Sequence, residues 1–223
     1  MITIVDYDSG NLRSVTKALE SLGVEVLVTS DPAQVIRAER LIVPGVGAFG
    51  DAMEQLNARG LVEPIRQYAA SGSPFLGICV GLQLMFDSSE EAPGVEGLGL
   101  IPGVVRRFAS APGRKIPHMG WNRIEVSSGS TDALGVLSGL DGPDGGPYVY
   151  FVHSYYVEPK DQAAVLASTN YDGFEFCSVA AMGNMAGTQF HPEKSQSAGM
   201  RILANFAGIP YLPNADRLLP AAH

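Results

Sequence analysis

The chain of 223 residues is 46% hydrophobic and 17% charged, a composition that supports a sizeable core and excludes a disordered protein. Its net charge of -8 argues against a nucleic-acid-binding surface, and no apolar run of roughly 18 residues is present to span a membrane. Because two cysteines cannot form a disulfide framework and the N-terminus carries no secretion signal, we expect a reduced, cytoplasmic protein.

The N-terminal third of the chain alternates apolar strands with helices. Runs of β-branched and apolar residues predict strands over 2–7, 24–29, 40–45 and 73–79. Helical spacing of apolar residues predicts helices over 11–23, 48–58 and 61–70, and Ser30 or Asp31 before Pro32 predicts another short helix. This order predicts an α/β fold with an open, mostly parallel sheet and helices on both faces.

After residue 87 the sequence becomes rich in glycine, proline and short β-prone runs. They predict hairpins and extra strands added to the sheet, and include VVRRF, RIEV, YVYFVHSYYV, AAVLAST, EFCSVAAM and MAGTQFH. We also expect a closing helix over 195–208, a flexible loop over 142–147 and a loosely ordered tail from Ile209. Because no repeat or linker is evident, we expect one domain over 1–208, followed by a tail over 209–223.

One segment is basic although the whole chain is acidic. No Asp or Glu occurs from Gly97 to Asn122. Basic residues in this segment or directly after it are Arg106, Arg107, Arg114, Lys115 and Arg123. Such a run is either a solvated face or a docking face for an acidic partner or a phosphorylated substrate, and the sequence leaves both open.

A cysteine ends the fourth predicted strand, in the stretch GICVGLQ at 77–83. A thiol at a strand-to-helix turn lies at the carboxyl edge of the sheet, where open α/β sheets bind ligands. Gly77 and Gly81 leave room for the bend, while the N–H of Val80 can stabilise an oxyanion and the helix start favours a thiolate. The pattern predicts a nucleophile at Cys79, although a buried, inert cysteine fits the same short pattern.

A second motif, HPE at 191–193, closes the late apolar strand MAGTQF. The following proline favours an extended His191, and in an extended segment residues two apart point the same way. Glu193 can then accept the Nδ1–H of the imidazole, which leaves the other ring nitrogen to take the thiol proton. We therefore predict a triad of Cys79, His191 and Glu193, although HPE alone also fits a turn with an exposed glutamate.

The third predicted strand ends in the glycine-rich corner VPGVG at 43–47. Gly45 and Gly47 allow the backbone to approach a ligand closely or to adopt positive φ. The peptide between Val46 and Gly47 is a candidate for the second oxyanion donor. A plain turn is the alternative interpretation of this motif.

In this order, PGVG, GICVGLQ and HPEKS resemble the triad-type (class I) glutamine amidotransferases, whose flavodoxin-like α/β glutaminase domain matches residues 1–208. Three further stretches, DYDSGNL, KIPHMGWN at 115–122 and YFVHSYY at 150–156, resemble one branch of that family, the glutaminase subunits of imidazole glycerol phosphate synthases. KIPHMGWN discriminates most, because branches that serve other pathways share the triad motifs but not this segment.

The resemblance implies a reaction. Cys79 would attack the carboxamide carbon of glutamine, His191 would transfer the proton, Glu193 would orient His191, and a glutamyl thioester would be hydrolysed to glutamate. The ammonia would pass to a separate β/α-barrel cyclase subunit, the other member of a heterodimer, which makes imidazole glycerol phosphate and AICAR in histidine biosynthesis. No metal or other cofactor is implied.

The resemblance also implies roles for residues around the triad. Gln83 would lie on the same side of the helix start as Cys79 and hold the substrate. The amino and carboxylate ends of glutamine would be bound, partly by backbone atoms, by Gly47, Ser154 and Tyr155. The surface that meets the cyclase would include Asn11, Pro117, Met119, Trp121 and Asn122.

Several assignments stay open. Trp121 fits either the core or an exposed interface, His153 fits a structural or a catalytic position, and His118 is unassigned. Cys177 lies inside a predicted strand, where we expect it to pack. The alternative functions are a glutaminase of a different synthase, a γ-glutamyl hydrolase, and a catalytically silent binding module, which predicts loss of a triad residue.

Overall fold

The computed structural model describes residues 1–8, 10–127, 131–140 and 146–212. Most of the predicted loop at 142–147 and most of the predicted tail lie outside the described residues. No helix within the described ranges is long and apolar enough to cross a membrane.

Strands and helices alternate up to residue 84, as the apolar patterns predict, and strands dominate afterwards. The strands are β1 Ile2–Val5, β2 Val26–Thr29, β3 Leu41–Gly45, β4 Phe75–Cys79, β5 Ser88–Ser89, β6 Gly103–Arg107, β7 His118–Arg123, β8 Glu125–Val126, β9 Tyr148–His153, β10 Tyr155–Pro159, β11 Val165–Tyr171, β12 Phe174–Met182 and β13 Met185–Thr188. The helices are α1 Leu12–Ser21, α2 Pro32–Ile36, α3 Phe49–Ala58, α4 Val62–Ala70, α5 Val80–Leu84 and α6 Gln196–Ala207.

Local signals in the sequence account for several helix boundaries. Asp31 rather than Ser30 caps α2, because its carboxylate accepts a hydrogen bond from the N–H of Ala33 at 2.9 Å. Val15 and Leu19 form the buried stripe of α1. The closing helix α6 ends at Gly208, which has the left-handed conformation typical of a helix C-terminus.

The main sheet joins a parallel half to an antiparallel half. Its strand order is β2-β1-β3-β4-β13-β12-β10-β6-β5, with β11 paired to β12 and β8 paired to β11. The five strands from β2 to β13 run parallel, whereas β12 pairs antiparallel with β13 and β10, and β10 pairs antiparallel with β6. The short β5 at the edge pairs parallel with β6. The predicted open, mostly parallel α/β sheet with added antiparallel strands is confirmed.

The sheet order brings three sequence motifs to one edge. β4 lies between β3 and β13, and Gly45 at the end of β3 pairs with Cys79 at the end of β4. On the other side of β4, Thr188 at the end of β13 pairs with Ile78, and His191 follows Thr188 by three residues. Because parallel strands end at the same edge, PGVG, GICVGLQ and QFHPEKS meet there.

One predicted run differs from the expected arrangement. YVYFVHSYYV breaks at Ser154 into β9 and β10, and only β10 joins the main sheet. β9 instead pairs with β7, which contains most of KIPHMGWN, in a separate two-stranded sheet. The expectation of strands added to the main sheet is therefore met by β10 but not by β7 and β9, because alternating hydrophobicity identifies a strand but not its partner.

Candidate active site

Cys79 occupies a strained turn between β4 and α5. Its backbone angles are φ 55° and ψ -107°, a conformation that residues other than glycine rarely adopt. The glycines on either side permit the turn: a Cβ at Gly81 would lie 1.8 Å from the carbonyl oxygen of Val43, and one at Gly77 would lie 2.7 Å from that of Gly81. The strand-to-helix turn predicted from G-x-C-x-G is thus formed, with its thiol facing a cavity.

His191 and Glu193 form a buried pair next to this turn. His191 Nδ1 lies 2.9 Å from Glu193 Oε1, and both side chains are at most 1% exposed. His191 is extended, with φ -98° and ψ 100°, as its proline neighbour predicts, but Pro192–Lys194 forms a 3₁₀ turn. The contact predicted for an extended segment is therefore made by a tight turn, which brings the carboxylate back to the ring.

The environment of His191 keeps its ring protonated at neutral pH. Burial lowers the pKa of His191, but hydrogen bonding and charge from Cys79 and Glu193 outweigh burial and raise it to about 9. For Glu193 burial acts in the other direction and raises the pKa, but the interactions with His191 and Asn11 bring the pKa below its usual value. The pair is therefore an imidazolium and a carboxylate, and the proton is available at the ring.

The second ring nitrogen of His191 has no fixed hydrogen bond. Within the described part of the chain, Nε2 is buried without a partner in hydrogen-bond geometry, although Cys79 is near enough to raise the pKa of the ring. A loose nucleophile–imidazole contact is typical of resting active sites, which tighten when substrate binds. Nε2 is thus free to exchange a proton with the thiol or with a leaving group.

Asn11 was predicted to lie in the partner interface, but its side chain contacts the buried pair of His191 and Glu193. Its Nδ2 donates to Glu193 Oε1 at 2.5 Å and lies 3.5 Å from His191 Nδ1. Asn11 has the left-handed conformation, φ 79°, which asparagine tolerates better than most residues. The sequence signal was the stretch DYDSGNL after β1, which contains Asn11.

A cavity of about 260 Å³ opens at Cys79 and is lined by all four predicted substrate-binding residues. The predicted site residues that line it are Val46, Gly47, Cys79, Val80, Gln83, Pro117, Ser154, Tyr155 and His191. Gly47 has φ 97°, so its backbone conformation, rather than crowding, favours glycine. A cavity of this size accommodates a small polar ligand such as an amino acid.

Two polar residues of the site were missed by the sequence analysis. Glu91 lines the cavity, and its Oε2 accepts a hydrogen bond from Phe49 N at 2.7 Å at the start of α3. Gln189 is fully buried, and its Nε2 lies 3.9 Å from Cys79 Sγ. Gln189 falls inside the quoted motif QFHPEKS, whereas Glu91 lies in an acidic surface run that carries no motif.

The predicted partner residues of β7 are exposed on one face of that strand. Met119 is 62% exposed and Trp121 is 47% exposed, whereas His118 between Pro117 and Met119 is buried. Alternation of side chains along a strand explains this difference. The open question about Trp121 is thereby answered, since it is a surface residue in this chain.

The basic segment is less free than its sequence indicates. Arg106 forms ion pairs with Glu90 at 2.8 Å and Glu158 at 3.2 Å, both from outside the acid-free segment. Arg114 donates to the backbone carbonyls of Ala109 and Asp172. Two of the five basic residues of this segment, Arg106 and Arg114, therefore have partners within the chain.

Comparison with known proteins identifies the family. Residues 3–208 match the model of the family described as "Glutamine amidotransferase class-I". The chain belongs to this family. The predicted family and fold class are thus confirmed, and the class-I amidotransferase match spans all three motifs at the sheet edge.

Curated proteins resemble this class-I amidotransferase over nearly its whole length. It is 50% identical over 210 residues to "Imidazole glycerol phosphate synthase subunit HisH" of Rhodopirellula baltica, covering 94% of this chain and 98% of the relative. The protein of the same name from Syntrophotalea carbinolica is 51% identical over 214 residues, covering 92% and 98%. A crystal structure described as "glutamine amidotransferase" agrees in fold, with a TM-score of 0.70, 22% identity and coverage of 94% and 100%.

This class-I amidotransferase shows no metal-binding cluster in its described ranges, where no three His, Cys, Asp or Glu side chains come together as ligands. The second cysteine is also accounted for. Cys177 is buried in β12, its thiol lies 3.4 Å from the carbonyl of Val179, and burial raises its pKa to about 12. A thiol in that state is a packing residue, as expected.

Proposed function

We propose that this chain is the glutaminase subunit of an imidazole glycerol phosphate synthase, which hydrolyses glutamine and delivers the ammonia to a cyclase subunit. The single observation that carries the proposal is identity of about 50% to proteins of that name over more than nine-tenths of their length. The buried His191–Glu193 pair beside a cysteine in a cavity supports it chemically. The domain is proposed to be residues 1–208, with 209–223 as a tail.

The first half of the reaction forms a thioester. The one proton that Cys79 and His191 share lies on the ring when Cys79 Sγ bonds to the carboxamide carbon of glutamine. The carbonyl oxygen becomes an oxyanion, stabilised by the N–H of Val80 and by the peptide between Val46 and Gly47. The carbon–nitrogen bond then breaks, and the imidazolium of His191 gives its proton to the departing nitrogen, which leaves as ammonia.

The second half regenerates the thiol. His191, now neutral, accepts a proton from water, and the resulting hydroxide bonds to the thioester carbon. The carbon–sulfur bond breaks, glutamate is released, and the sulfur and ring are left sharing one proton, as at the start. Glu193 holds the ring by Nδ1 throughout and stabilises its positive charge.

Side chains of the cavity provide contacts for an amino acid. The carboxylate of Glu91 pairs with the α-ammonium group of glutamine, because it is the acidic residue that lines the cavity. Gln83, Ser154 and Tyr155 complete the binding of the two polar ends. Gln83 is held for this role by its hydrogen bond to the carbonyl of Tyr155 at 3.1 Å.

The partner is proposed to dock on the exposed face of β7 around Met119 and Trp121, next to Pro117 at the cavity mouth. Large apolar side chains on a surface are typical anchors of a protein interface. A heterodimer sealed there would keep ammonia away from bulk water, where it would become the non-nucleophilic ammonium ion. The assembly is proposed to work in the cytoplasm.

The proposal is tested by glutamate release from glutamine, measured for the chain alone and with its co-expressed cyclase subunit. We expect activity that rises with the partner and its substrate, and that falls by about 10³-fold or more in Cys79→Ala. Cys177→Ala is the matched control and should keep activity near that of the wild type. Equal release by Cys79→Ala and the wild type would overturn the nucleophile assignment.

The same experiment separates the competing functions. A γ-glutamyl hydrolase would release glutamate without any partner, and a binding module would release none under any condition. A glutaminase of a different synthase would co-purify with a subunit other than the cyclase.

A further inference from the structure

Two buried histidines outside the triad face each other across β7 and β9. His118 is paired with His153 in the antiparallel register, and His118 Nδ1 lies 3.0 Å from His153 Nε2. The two residues are 3% and 6% exposed and are packed among aromatic rings. Because buried polar groups are hydrogen-bonded in native structures, the other ring nitrogens indicate what this pair holds.

The hydrogen bond between His153 and Tyr155, at the inner end of the pair, fixes the position of both ring protons. His153 Nδ1 lies 2.8 Å from the carbonyl oxygen of Tyr155, which can only accept a hydrogen bond. His153 therefore carries its proton on Nδ1 and accepts at Nε2. His118 must then donate from Nδ1, which leaves His118 Nε2 as an acceptor.

The outer end of the pair leads to the same assignment independently. Asn122 Nδ2 donates to the carbonyl of Asn170 at 2.9 Å, and its Oδ1 accepts from Arg123 N at 2.8 Å, so the amide orientation is fixed. Asn122 Nδ2 also lies 3.3 Å from His118 Nε2, to which it can donate. Burial lowers the pKa of His118 to about 4 and that of His153 to about 3, so both rings are neutral at pH 7.

The inner end also meets the substrate cavity. The carbonyl of Tyr155 that accepts from His153 accepts a second hydrogen bond from Gln83 Nε2 at 3.1 Å. Gln83 Nε2 in turn lies 3.3 Å from Gln189 Oε1, and Gln189 Nε2 lies 3.9 Å from Cys79 Sγ. One series of hydrogen bonds thus runs from Asn122 on β7 to the thiol.

We propose that His118 and His153 are positioning residues, which hold the carbonyl of Tyr155, and through it Gln83, in the geometry that binds glutamine. The assignment rests on the proposed glutaminase function. The series of hydrogen bonds begins at Asn122 on β7, and the opposite face of this strand carries Met119 and Trp121. A partner bound on that face therefore acts on the strand that anchors the substrate contacts.

The test is steady-state glutaminase kinetics of the complex with the co-expressed cyclase subunit. His153→Phe keeps a ring in the aromatic cluster but loses both hydrogen bonds, so we expect the KM for glutamine to rise about tenfold with kcat changed less than about threefold. His153→Gln retains one donor and one acceptor and should restore most of the lost affinity.

A double-mutant cycle separates a relay from two unrelated packing sites. His118→Phe should raise the KM in the same direction, and His118→Phe with His153→Phe should raise it no further than His153→Phe alone. Tyr171→Phe is the matched control, because the ring of Tyr171 stacks on His118 at a centroid distance of 4.0 Å, but its hydroxyl donates a hydrogen bond to the backbone carbonyl of Lys115 and not to the histidine pair. Its KM should equal that of the wild type.

Binding of glutamine to a Cys79→Ala chain, measured by calorimetry with and without His153→Phe, provides a readout without turnover. Weaker binding in the double variant supports the assignment. An unchanged KM and Kd in His153→Phe, or an equal rise in Tyr171→Phe, overturns it while leaving the glutaminase function intact. A wild type that neither binds nor hydrolyses glutamine overturns both.

Discussion

At the scale of single residues, the site depends on a cysteine in a backbone conformation that only its neighbours make tolerable. Cys79 has positive φ, and Gly81 lets the following helix pass against the carbonyl of Val43. Strain of this kind costs of order 1–3 kcal/mol and is retained where the surrounding structure over-determines it. The strands β3 and β13, which pair with β4 on its two sides, provide that support.

Glu193 is one of the two residues that raise the pKa of His191. In Glu193→Gln the carboxylate charge that helps to raise the pKa of His191 to about 9 is lost. We expect kcat/KM to fall by about 10²-fold or more, and its alkaline limb to move to lower pH, because the ring loses its proton earlier. A pH–rate profile of the complex measures both effects.

The matched control for this variant is Glu63→Gln, an exposed carboxylate that pairs with Arg66 on α4. Its profile should coincide with that of the wild type, since exposed ion pairs contribute little. An alkaline limb that stays near pH 9 in Glu193→Gln would contradict the role given to this carboxylate.

At the scale of elements, β7 is a strand with two different faces. Met119 and Trp121 point outward, whereas His118 is buried and Asn122 reaches the carbonyl of Asn170. Its pairing with β9, rather than with the main sheet, leaves the outward face uncovered within the described part of the chain. The proposed docking surface and the proposed positioning residue His118 therefore lie on the same short strand.

Truncation of the outward face should weaken assembly without weakening the fold. Because Trp121 is 47% exposed and packs edge-on against Tyr150 at a ring distance of 6.0 Å, we expect Trp121→Ala to raise the Kd for the cyclase at least about tenfold. The thermal midpoint of the free chain should change little. Calorimetric titration and thermal unfolding measure the two quantities.

Met182→Ala, on β12, is the control for this prediction because Met182 is also exposed, at 40%, but lies outside the proposed surface. It should bind the cyclase as tightly as the wild type does. Equal affinities for Trp121→Ala and the wild type would argue against docking on this face.

Elements with local signals could be predicted from the sequence, and elements defined by long-range pairing could not. The strand over 73–79 and the helix over 195–208 follow from apolar periodicity, which depends on neighbours in the chain. The departure of β9 from the main sheet depends on pairing with a strand far upstream in the chain. His118 and His153, for example, pair across 35 residues, and alternation does not encode such a partner. Cys79 and His191 were predicted from short motifs at the ends of strands and from the family resemblance, whereas Gln189 and Glu91 join the site only through three-dimensional packing.

At the scale of the whole molecule, the two neutral histidines His118 and His153 are buried behind the strand that carries the proposed partner surface. Their pKa values of about 4 and about 3, set mainly by burial, lie below the value of 6.5 expected for the unfolded chain. Asp172 opposes the effect at His118, and the backbone of Tyr155 opposes it at His153, while His191 adds to it at His153. Below pH 6.5 these two histidines therefore bind more protons in the unfolded chain than in the folded one.

The free energy of unfolding should consequently decrease as the pH falls from 6.5 towards 4. Each of the two histidines contributes a slope of about 1 kcal/mol per pH unit in this window, and the contribution is fully present only above pH 6.5. Urea unfolding of the free chain at several pH values measures the slope. His118→Phe should reduce it by about half, whereas Tyr171→Phe should leave it unchanged, and an equal slope in all three chains would contradict the linkage.

The inert state of Cys177 has a practical consequence for anyone who purifies this protein. With that thiol buried and its pKa raised to about 12, an electrophile shaped like glutamine would label each competent molecule once, at Cys79. Intact mass spectrometry of a labelled preparation would then count functional sites directly, with no need to replace the other cysteine.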